Sequence, residues 1–280
     1  KAFESDYTES YKNSDLLNED QHPRISTLHS LACRLIRNKG YSIGYDGPLY
    51  FSSIADREKP TSHVFLRDLF PLVQSSVLNS IPKLRGYLEN EKEFWRNNSD
   101  LNENSHQRQT VIETALLLSR AYRLVDWDQA IPLAHQLFLN PQNREKWLTR
   151  LQHFLIDEYQ DFNKAEQAFI ASLASTISSM VIVGDNDQSI FRSRGGSPEG
   201  IINLFNSPNH NQITLVRCRR CKSNLLKSVN RFLNWMNPKS TLMLEHAKGG
   251  SINCYKFKSS KAEIAFLINY LMVKIEELPK

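Results

Sequence analysis

The segment FLIDEYQDF, residues 154–162, places four acidic or amide side chains directly behind a run of apolar residues. The apolar run predicts a short buried strand over 154–157. A strand that stops at Asp157 and Glu158 has two explanations. It can deliver a pair of carboxylates to a cleft, or it can be an ordinary strand that ends in solvent, and the rest of the chain must distinguish these.

A second apolar segment, MVIVGD (180–185), also stops at an acid, Asp185. Between the two segments, KAEQAFIASLASTI (164–177) has the apolar spacing of a helix. Apolar strands separated by helices are typical of a parallel sheet covered on both faces. Ligands bind such sheets beyond the carboxyl ends of the strands. We therefore predict an α/β fold in which both acidic strand ends face one crevice.

The flanking sequence predicts further helices and strands on either side of this unit. On the N-terminal side we expect a short strand running into a helix over 24–40, loops over 41–65, interrupted helices over 66–125, and helices over 125–138 and 143–154. On the C-terminal side we expect a strand-to-helix unit over 213–236, a strand over 252–257 and a helix over 261–278.

Composition limits the class of protein. With 280 residues, 40% hydrophobic content and 14 Phe, the chain can bury the cores of roughly two domains. Its net charge of +5 is compatible with a nucleic-acid partner and equally with a merely soluble surface. No apolar stretch approaches the roughly 18 residues of a membrane span, so we expect no membrane partner.

The four cysteines are scattered and form no disulfide framework, which favours a reducing, cytoplasmic compartment. Cys218 and Cys221 have the spacing of half a zinc site. The sequence offers no second pair at matching spacing, so it does not predict zinc.

The residues after the two strands have the chemistry of a phosphate-transfer site. Asp157 could hold Mg²⁺ through water, and Glu158 could orient or deprotonate an attacking water. In VGDNDQSIFRSRGG (183–196), Gln188 could reach a phosphate oxygen or that water. Arginines interleaved with an aromatic ring suit a single-stranded nucleic acid, with charge for the backbone and a ring face for a base. Phe191 could equally be a core residue.

DEYQD followed by VGDNDQSIFRSRGG resembles motifs II and III of UvrD/Rep/PcrA-type superfamily 1 DNA helicases, which typically have the patterns DE[FY]QD and VGD-x-DQSIY-R-W-RGA. STLHSLACRLIR (26–37) is similar to the TFHS segment of that family. LVRCRRCKSNLLKSVNRFL (215–233) resembles its motif IV. Together the matches span about residues 24 to 236.

The resemblance implies a RecA-like P-loop NTPase fold and ATP-dependent movement along single-stranded DNA with unwinding of duplex DNA, in repair or a related process. Its implied cofactors are ATP and Mg²⁺. On the nucleotide side, it implies Mg²⁺ coordination by Asp157, water activation by Glu158, γ-phosphate sensing by Gln188, charge stabilisation by Arg220, and nucleotide-site positions for Asp185 and Arg219. On the DNA side, it implies contacts from Thr27, His29, Ser30, Phe191, Arg192 and Arg194. His29 could instead cap the start of its helix.

The resemblance also divides the chain. It implies a first RecA-like lobe over 1–65 and 126–206, a helical insertion over 66–125, and the start of a second lobe over 207–280. Three positions depart from the family pattern: Ser193 replaces Trp, Arg219 replaces the motif IV tyrosine, and Cys218 replaces Asn.

The phosphate-binding pattern G-x-x-x-x-G-K-[ST] is not present, because no Gly in the sequence is followed by Lys. Motifs V and VI are also not found. We therefore expect a piece of a longer helicase that hydrolyses little or no ATP as an isolated chain. The alternatives are a non-enzymatic DNA-binding or scaffold protein derived from such a helicase, and the helicase lobe of a helicase-nuclease. A phosphate loop encoded upstream of Lys1 would favour the enzyme, and a start codon there would favour the scaffold.

Overall fold

The computed structural model describes residues 25–56, 58–97, 106–148, 152–192, 195–238, 240, 242–245 and 247–276. The chain divides into two compact units, the first ending at His210 and the second beginning at Asn211. Each unit is described by itself. Within the described residues, no helix is both long enough and apolar enough to cross a membrane.

The first unit alternates helices with short strands. Its helices are α1 (Leu28–Lys39), α2 (Pro60–Val73), α3 (Ile81–Asn97), α4 (His106–Tyr122), α5 (Trp127–Leu139), α6 (Pro141–Leu148), α7 (Lys164–Ala174) and α8 (Glu199–Phe205). Its strands are β1 (Tyr50–Ser52), β2 (Leu124–Asp126), β3 (His153–Ile156) and β4 (Ser179–Ile182). The second unit contains helices α9 (Ser223–Met236) and α10 (Ser260–Glu276).

The segment β3–α7–β4 has the predicted order of strand, helix and strand, and its two strands pair in parallel. His153 lies opposite Ser179 and Ile156 opposite Ile182. The connecting helix begins at a capping box in which Asn163 and Glu166 each accept a backbone N–H of the other, and this satisfies donors that a helix start leaves open. The strands therefore run the same way, and their carboxyl ends meet at one edge.

The expectation of one sheet covered on both faces differs from the structure in two respects. The described residues form two separate two-stranded parallel sheets, β1–β2 and β3–β4. In the second sheet, Ile156 is buried, but Leu155 is 79% and Val181 51% exposed. Because successive side chains of a strand point to opposite faces, one face packs on α7 and the other has no cover among the described residues.

Two helical cores flank these strands. The larger one joins α1, α5 and α7, with Leu35, Ile36 and Phe138 fully enclosed. The other joins α2, α3 and α4 around Phe65 and Leu84. The strand expected before α1 is instead an extended N-cap at Thr27, and the Gly- and Pro-rich loop region contains the unexpected strand β1.

The second unit contains fewer regular strands than the sequence predicts. Around 213–217 the only pairing among described residues is a single bridge from Arg217 to Leu244. The strand predicted over 252–257 is wrong, since no described residue pairs with it. Instead, Tyr255 and Phe257 pack their rings on Phe266 of α10, at centroid distances of 4.7 and 5.2 Å. Contacts between aromatic rings are found here in place of strand pairing.

Candidate functional site

Asp157 and Glu158 lie immediately beyond the carboxyl end of β3, and both are exposed. Asp157 Oδ1 accepts the backbone N–H of Glu158 at 2.9 Å. The backbone of Glu158 is left-handed, with φ of 55°, a conformation that costs a non-glycine residue on the order of 1 kcal/mol or more. The turn takes the chain out of the strand into the 3₁₀ helix Tyr159–Asp161 and leaves two carboxylates at the sheet edge.

The second acidic group follows β4 at the same edge. Asp185 lies three residues beyond the end of the strand, so the strand is shorter than predicted. Its Oδ1 accepts the Asp187 backbone N–H at 3.0 Å, and its Oδ2 accepts Gln188 Nε2 at 2.7 Å. The 3₁₀ helix Asn186–Gln188 therefore holds the exposed amide of Gln188 against Asp185.

Gln160 connects the two loops. Its Nε2 donates to Glu158 Oε2 at 2.7 Å, and its Oε1 accepts the Asp185 backbone N–H at 2.9 Å. A backbone N–H can only donate, so this contact fixes which end of the amide faces Glu158. Gln160 is 1% exposed. Its approach requires Gly184, where an added Cβ would lie 2.9 Å from Gln160 Oε1.

The loop after β4 also contacts the turn after β3 through residues nearer its C-terminal end. Gly196 donates its backbone N–H to Phe191 O at 3.1 Å, and Ser197 donates to Phe162 O at 2.9 Å. A Cβ at Gly196 would lie 3.1–3.2 Å from the carbonyl oxygens of Phe191 and Asp161. The two loops therefore form one connected structure.

A cleft of about 240 Å³ lies beside the acidic cluster, lined by His29, Trp95, Asp161 and Phe191 among others. Asp161 Oδ1 is buried and has no hydrogen-bond partner among the described residues. Desolvation and the nearby Glu158 raise the pKa of Asp161. The cleft thus combines aromatic rings with a carboxyl group, and it brings together two residues predicted to face DNA, His29 and Phe191.

Two pairs of charged groups also line this cleft. His29 Nδ1 lies 3.7 Å from Glu166 Oε1, and Arg96 Nε lies 3.0 Å from Asp128 Oδ1. Burial raises the pKa of Glu166, while the Asn163 backbone N–H, His29 and Arg96 oppose that effect.

Three of the remaining predicted residues lie in the described part of the first unit. Thr27 Oγ1 accepts the Ser30 backbone N–H at 3.1 Å, so Thr27, and not His29, caps α1. Thr27 and Ser30 are exposed. Arg192 is exposed and pairs with Glu199 of α8 at 2.9 Å. Arg194 lies outside the described residues, as does Ser193.

Arg219 and Arg220 belong to the second unit, where both are exposed in the turn before α9. Their backbone follows the bridge at Arg217 and precedes the bridge from Lys222 to Ala247. Their roles toward a nucleotide remain predictions.

Sequence reasoning missed Gln160, Asp161 and Trp95. Gln160 lies inside the quoted DEYQD segment, and the glycine of VGD was the signal for it, because a residue without a side chain marks a close approach. Trp95 gave no local signal, since it reaches the cleft from α3, ninety-six residues before Phe191.

A comparison with known families connects this geometry to a class of proteins. Residues 8–209 match the model of the UvrD/REP helicase N-terminal domain. The chain belongs to this family. The family implies a RecA-like α/β fold, and the helix-rich structure with its small parallel sheets is consistent with it.

The curated relatives of this UvrD/REP family chain are DNA helicases. It is 27% identical over 260 residues to the ATP-dependent DNA helicase PcrA of Leuconostoc citreum, covering 88% of the chain and 33% of that protein. It is 33% identical over 150 residues to DNA helicase II of Escherichia coli K12, covering 52% and 21%. It is 26% identical over 267 residues to DNA helicase II of Haemophilus influenzae, covering 90% and 35%. The chain thus spans about a third or less of these relatives.

Proposed function

We propose that this chain is part of an ATP-dependent DNA helicase or translocase that moves on single-stranded DNA and unwinds duplex DNA. The main observation that supports this proposal is the cluster at the carboxyl ends of β3 and β4, where Gln160 hydrogen-bonds to both Glu158 and the backbone of Asp185. Carboxylates and amides joined at such an edge suit phosphate transfer, because that reaction depends on positioning and charge more than on covalent chemistry.

The proposed roles toward the nucleotide follow from the chemistry of the side chains at this edge. Asp157, Glu158 and Asp185 supply carboxylate oxygens at one edge, and Mg²⁺ commonly takes one or two carboxylates and completes its shell with water. The exposed Asp157 fits that demand, although no group of three or more His, Cys, Asp or Glu ligands occurs in the described part of the chain. Bound Mg²⁺ would neutralise phosphate charge. Glu158 would orient the attacking water, and Gln188 would sense the γ-phosphate.

We further propose nucleotide contacts for two arginines of the second unit. Arg220 would stabilise negative charge on the γ-phosphate, and Arg219 would stack its guanidinium on the adenine. We assign residues 1–65 and 126–206 to a first RecA-like lobe, 66–125 to a helical insertion and 207–280 to the start of a second lobe. ATP-driven closure between lobes would move DNA across the first one, in the cytoplasm and in processes such as repair.

The DNA side is supported by the cleft. Phe191 offers a ring to an unstacked base, and the carboxyl group of Asp161 belongs to the same lining. Arg192, Arg194, Thr27, His29 and Ser30 would contact the strand near it. Stacking on such a ring is worth about 1–3 kcal/mol per base.

The test of DNA binding is fluorescence anisotropy with a labelled thymidine oligonucleotide and the 280-residue chain. We expect Phe191→Ala to weaken binding by about 1–3 kcal/mol. Tyr41→Ala, which removes another ring that is 65% exposed, serves as the matched control and should change affinity little. Equal losses in both variants would contradict the assignment of the cleft.

The test of catalysis needs two preparations. The chain alone should show no ATP turnover above background, since it has no phosphate-binding loop. In the complete polypeptide that carries this chain, DNA-stimulated hydrolysis should be lost in Glu158→Gln while binding of the oligonucleotide persists. A complete polypeptide that binds DNA without hydrolysing ATP would instead support the scaffold.

A further inference from the structure

Cys218 and Cys221 form a close pair on either side of the two arginines in the turn before α9. The Cys218 sulfur accepts the backbone N–H of Cys221 at 3.4 Å. Both are partly exposed, whereas Cys33 is buried and Cys254 is exposed in another segment. The pair is therefore close enough to react together and open to a small molecule.

The surroundings make the two sulfur atoms chemically different. The backbone N–H groups of Cys221 and Arg220 lower the pKa of Cys218 most, burial opposes them, and the Arg220 guanidinium lowers the pKa by a lesser amount. The hydrogen bond to Cys218 raises the pKa of Cys221. One sulfur is thus favoured as a thiolate nucleophile and the other as a retained thiol, which is the division of roles in a Cys-x-x-Cys exchange pair.

We propose that Cys218 and Cys221 are a redox-active dithiol that closes to an intramolecular disulfide by exchange with a small disulfide of the glutathione class. The Cys218 thiolate attacks one sulfur of the small disulfide, whose S–S bond breaks and releases one thiolate. The Cys221 thiol loses its proton to solvent, and its sulfur attacks Cys218 in the mixed disulfide. The second small thiolate leaves, so the protein is oxidised by two electrons and the small disulfide is reduced to two thiols.

The disulfide would act on the backbone of Arg219 and Arg220. On either side of the turn the chain is held by the Arg217–Leu244 bridge and by the Ser223 backbone N–H, which donates to Ala247 O at 2.8 Å. Closing a covalent bond across the two arginines would fix the turn between these anchors. An effect on nucleotide contacts by Arg220 rests on the proposed function, but formation of the disulfide does not.

The experiment equilibrates the reduced 280-residue chain in mixtures of reduced and oxidised glutathione, stops exchange with acid, alkylates the free thiols and locates each cysteine by peptide mass spectrometry. We expect Cys218 and Cys221 to be oxidised together and joined in one peptide pair, lighter by two hydrogens. Cys254 should carry only a mixed disulfide with glutathione. The matched control Cys254→Ser should leave the joined pair unchanged.

Two further measurements separate the roles of the sulfur atoms. Cys221→Ser keeps the backbone N–H that faces Cys218, so it should accumulate glutathione on Cys218. In the wild-type chain, iodoacetamide should modify Cys218 about fivefold or more faster than Cys254 near neutral pH, and unfolding in guanidinium should remove that preference. Mixed disulfides without a joined pair would overturn the proposal, and so would an equal rate for Cys218 and Cys254 in the folded chain.

Discussion

Gln160 and Glu158 are joined by a 2.7 Å hydrogen bond from the buried amide to the exposed carboxylate. The other end of the same amide accepts the Asp185 backbone N–H. A single side chain therefore fixes the position of the acid beyond β3 relative to the loop beyond β4. Local strain at Glu158 is tolerated because this contact and the sheet hold the turn in place.

Replacing Gln160 tests this link. Gln160→Ala leaves the partly buried Asp185 N–H without its acceptor, so the free energy of unfolding should fall by about 1–3 kcal/mol. The matched control is Gln188→Ala, which removes an exposed amide bonded to the same Asp185 and should change stability by less than about 0.5 kcal/mol. Urea denaturation followed by circular dichroism measures both. Equal effects would show that Gln160 does not hold the loops together.

Replacing Gly184, which lies against Gln160, tests the same contact between the two loops. Gly184→Ala places a Cβ 2.9 Å from Gln160 Oε1 and 3.4 Å from its backbone nitrogen, which should cost about 1–3 kcal/mol. Gly86→Ala in α3 has no atom within 4 Å of the added carbon and should stabilise by roughly 0.5–1 kcal/mol. Combined with Gln160→Ala, Gly184→Ala should cost less than it does alone. Strict additivity would contradict the contact.

Glu166 should make stability fall as pH rises. Its folded pKa is raised above the ordinary 4.5, so the folded chain holds this proton more tightly than the unfolded chain. The contribution of Glu166 to the free energy of unfolding is fully present below pH 4.5, and it is lost as the pH rises through the pKa of Glu166 in the folded chain. His29, Arg96 and Asp128 face the same carboxyl and share in the titration.

The measurement compares the wild type with Glu166→Gln, which keeps the capping box. The stability difference between them, wild type minus variant, should decrease from pH 4.5 upward. Glu113→Gln removes an exposed helical carboxylate and controls for the loss of one charge. A difference that increases with pH would mean that the carboxylate form is the one favoured by folding.

Arg192 should contribute to the salt dependence of binding to single-stranded DNA. If it contacts one phosphate, Arg192→Gln should reduce the slope of log affinity against log salt by about 0.7. Arg67→Gln is a matched control, because both side chains are 68% exposed and both are ion-paired at less than 3 Å. Binding titrations between low and moderate salt give both slopes. An unchanged slope in Arg192→Gln would place this arginine away from the strand.

The sequence predicted best where local pattern decides structure. β3, α7 and β4 follow from apolar runs and helical spacing within thirty residues, 153–182. Strand 252–257 was predicted wrongly, because pairing depends on a neighbour that the segment itself cannot supply. β1 was missed for a related reason: its pairing with β2 joins Tyr50 to Leu124 across the helices α2 to α4.

The sequence predicted the positions of the acidic residues of the candidate site, but it did not predict the residues that hold them in place. Asp157, Glu158, Asp185 and Gln188 stand at strand ends that the sequence marks. Gln160 was passed over because its role depends on where the loop beyond β4 turns. Trp95 reaches the cleft only through the packing of α3, which no window around Phe191 contains.

The open face of the β3–β4 sheet has a consequence for the fate of the chain. Leu155, Val181 and Val183 leave an apolar strip on short strands whose backbone is only partly paired within the described residues. Cellular quality control acts on such surfaces, since chaperones and proteases sort proteins by the apolar area they expose. While this strip stays uncovered it should shorten the survival of the chain in a cell, and a partner or segment that covers it should lengthen that survival.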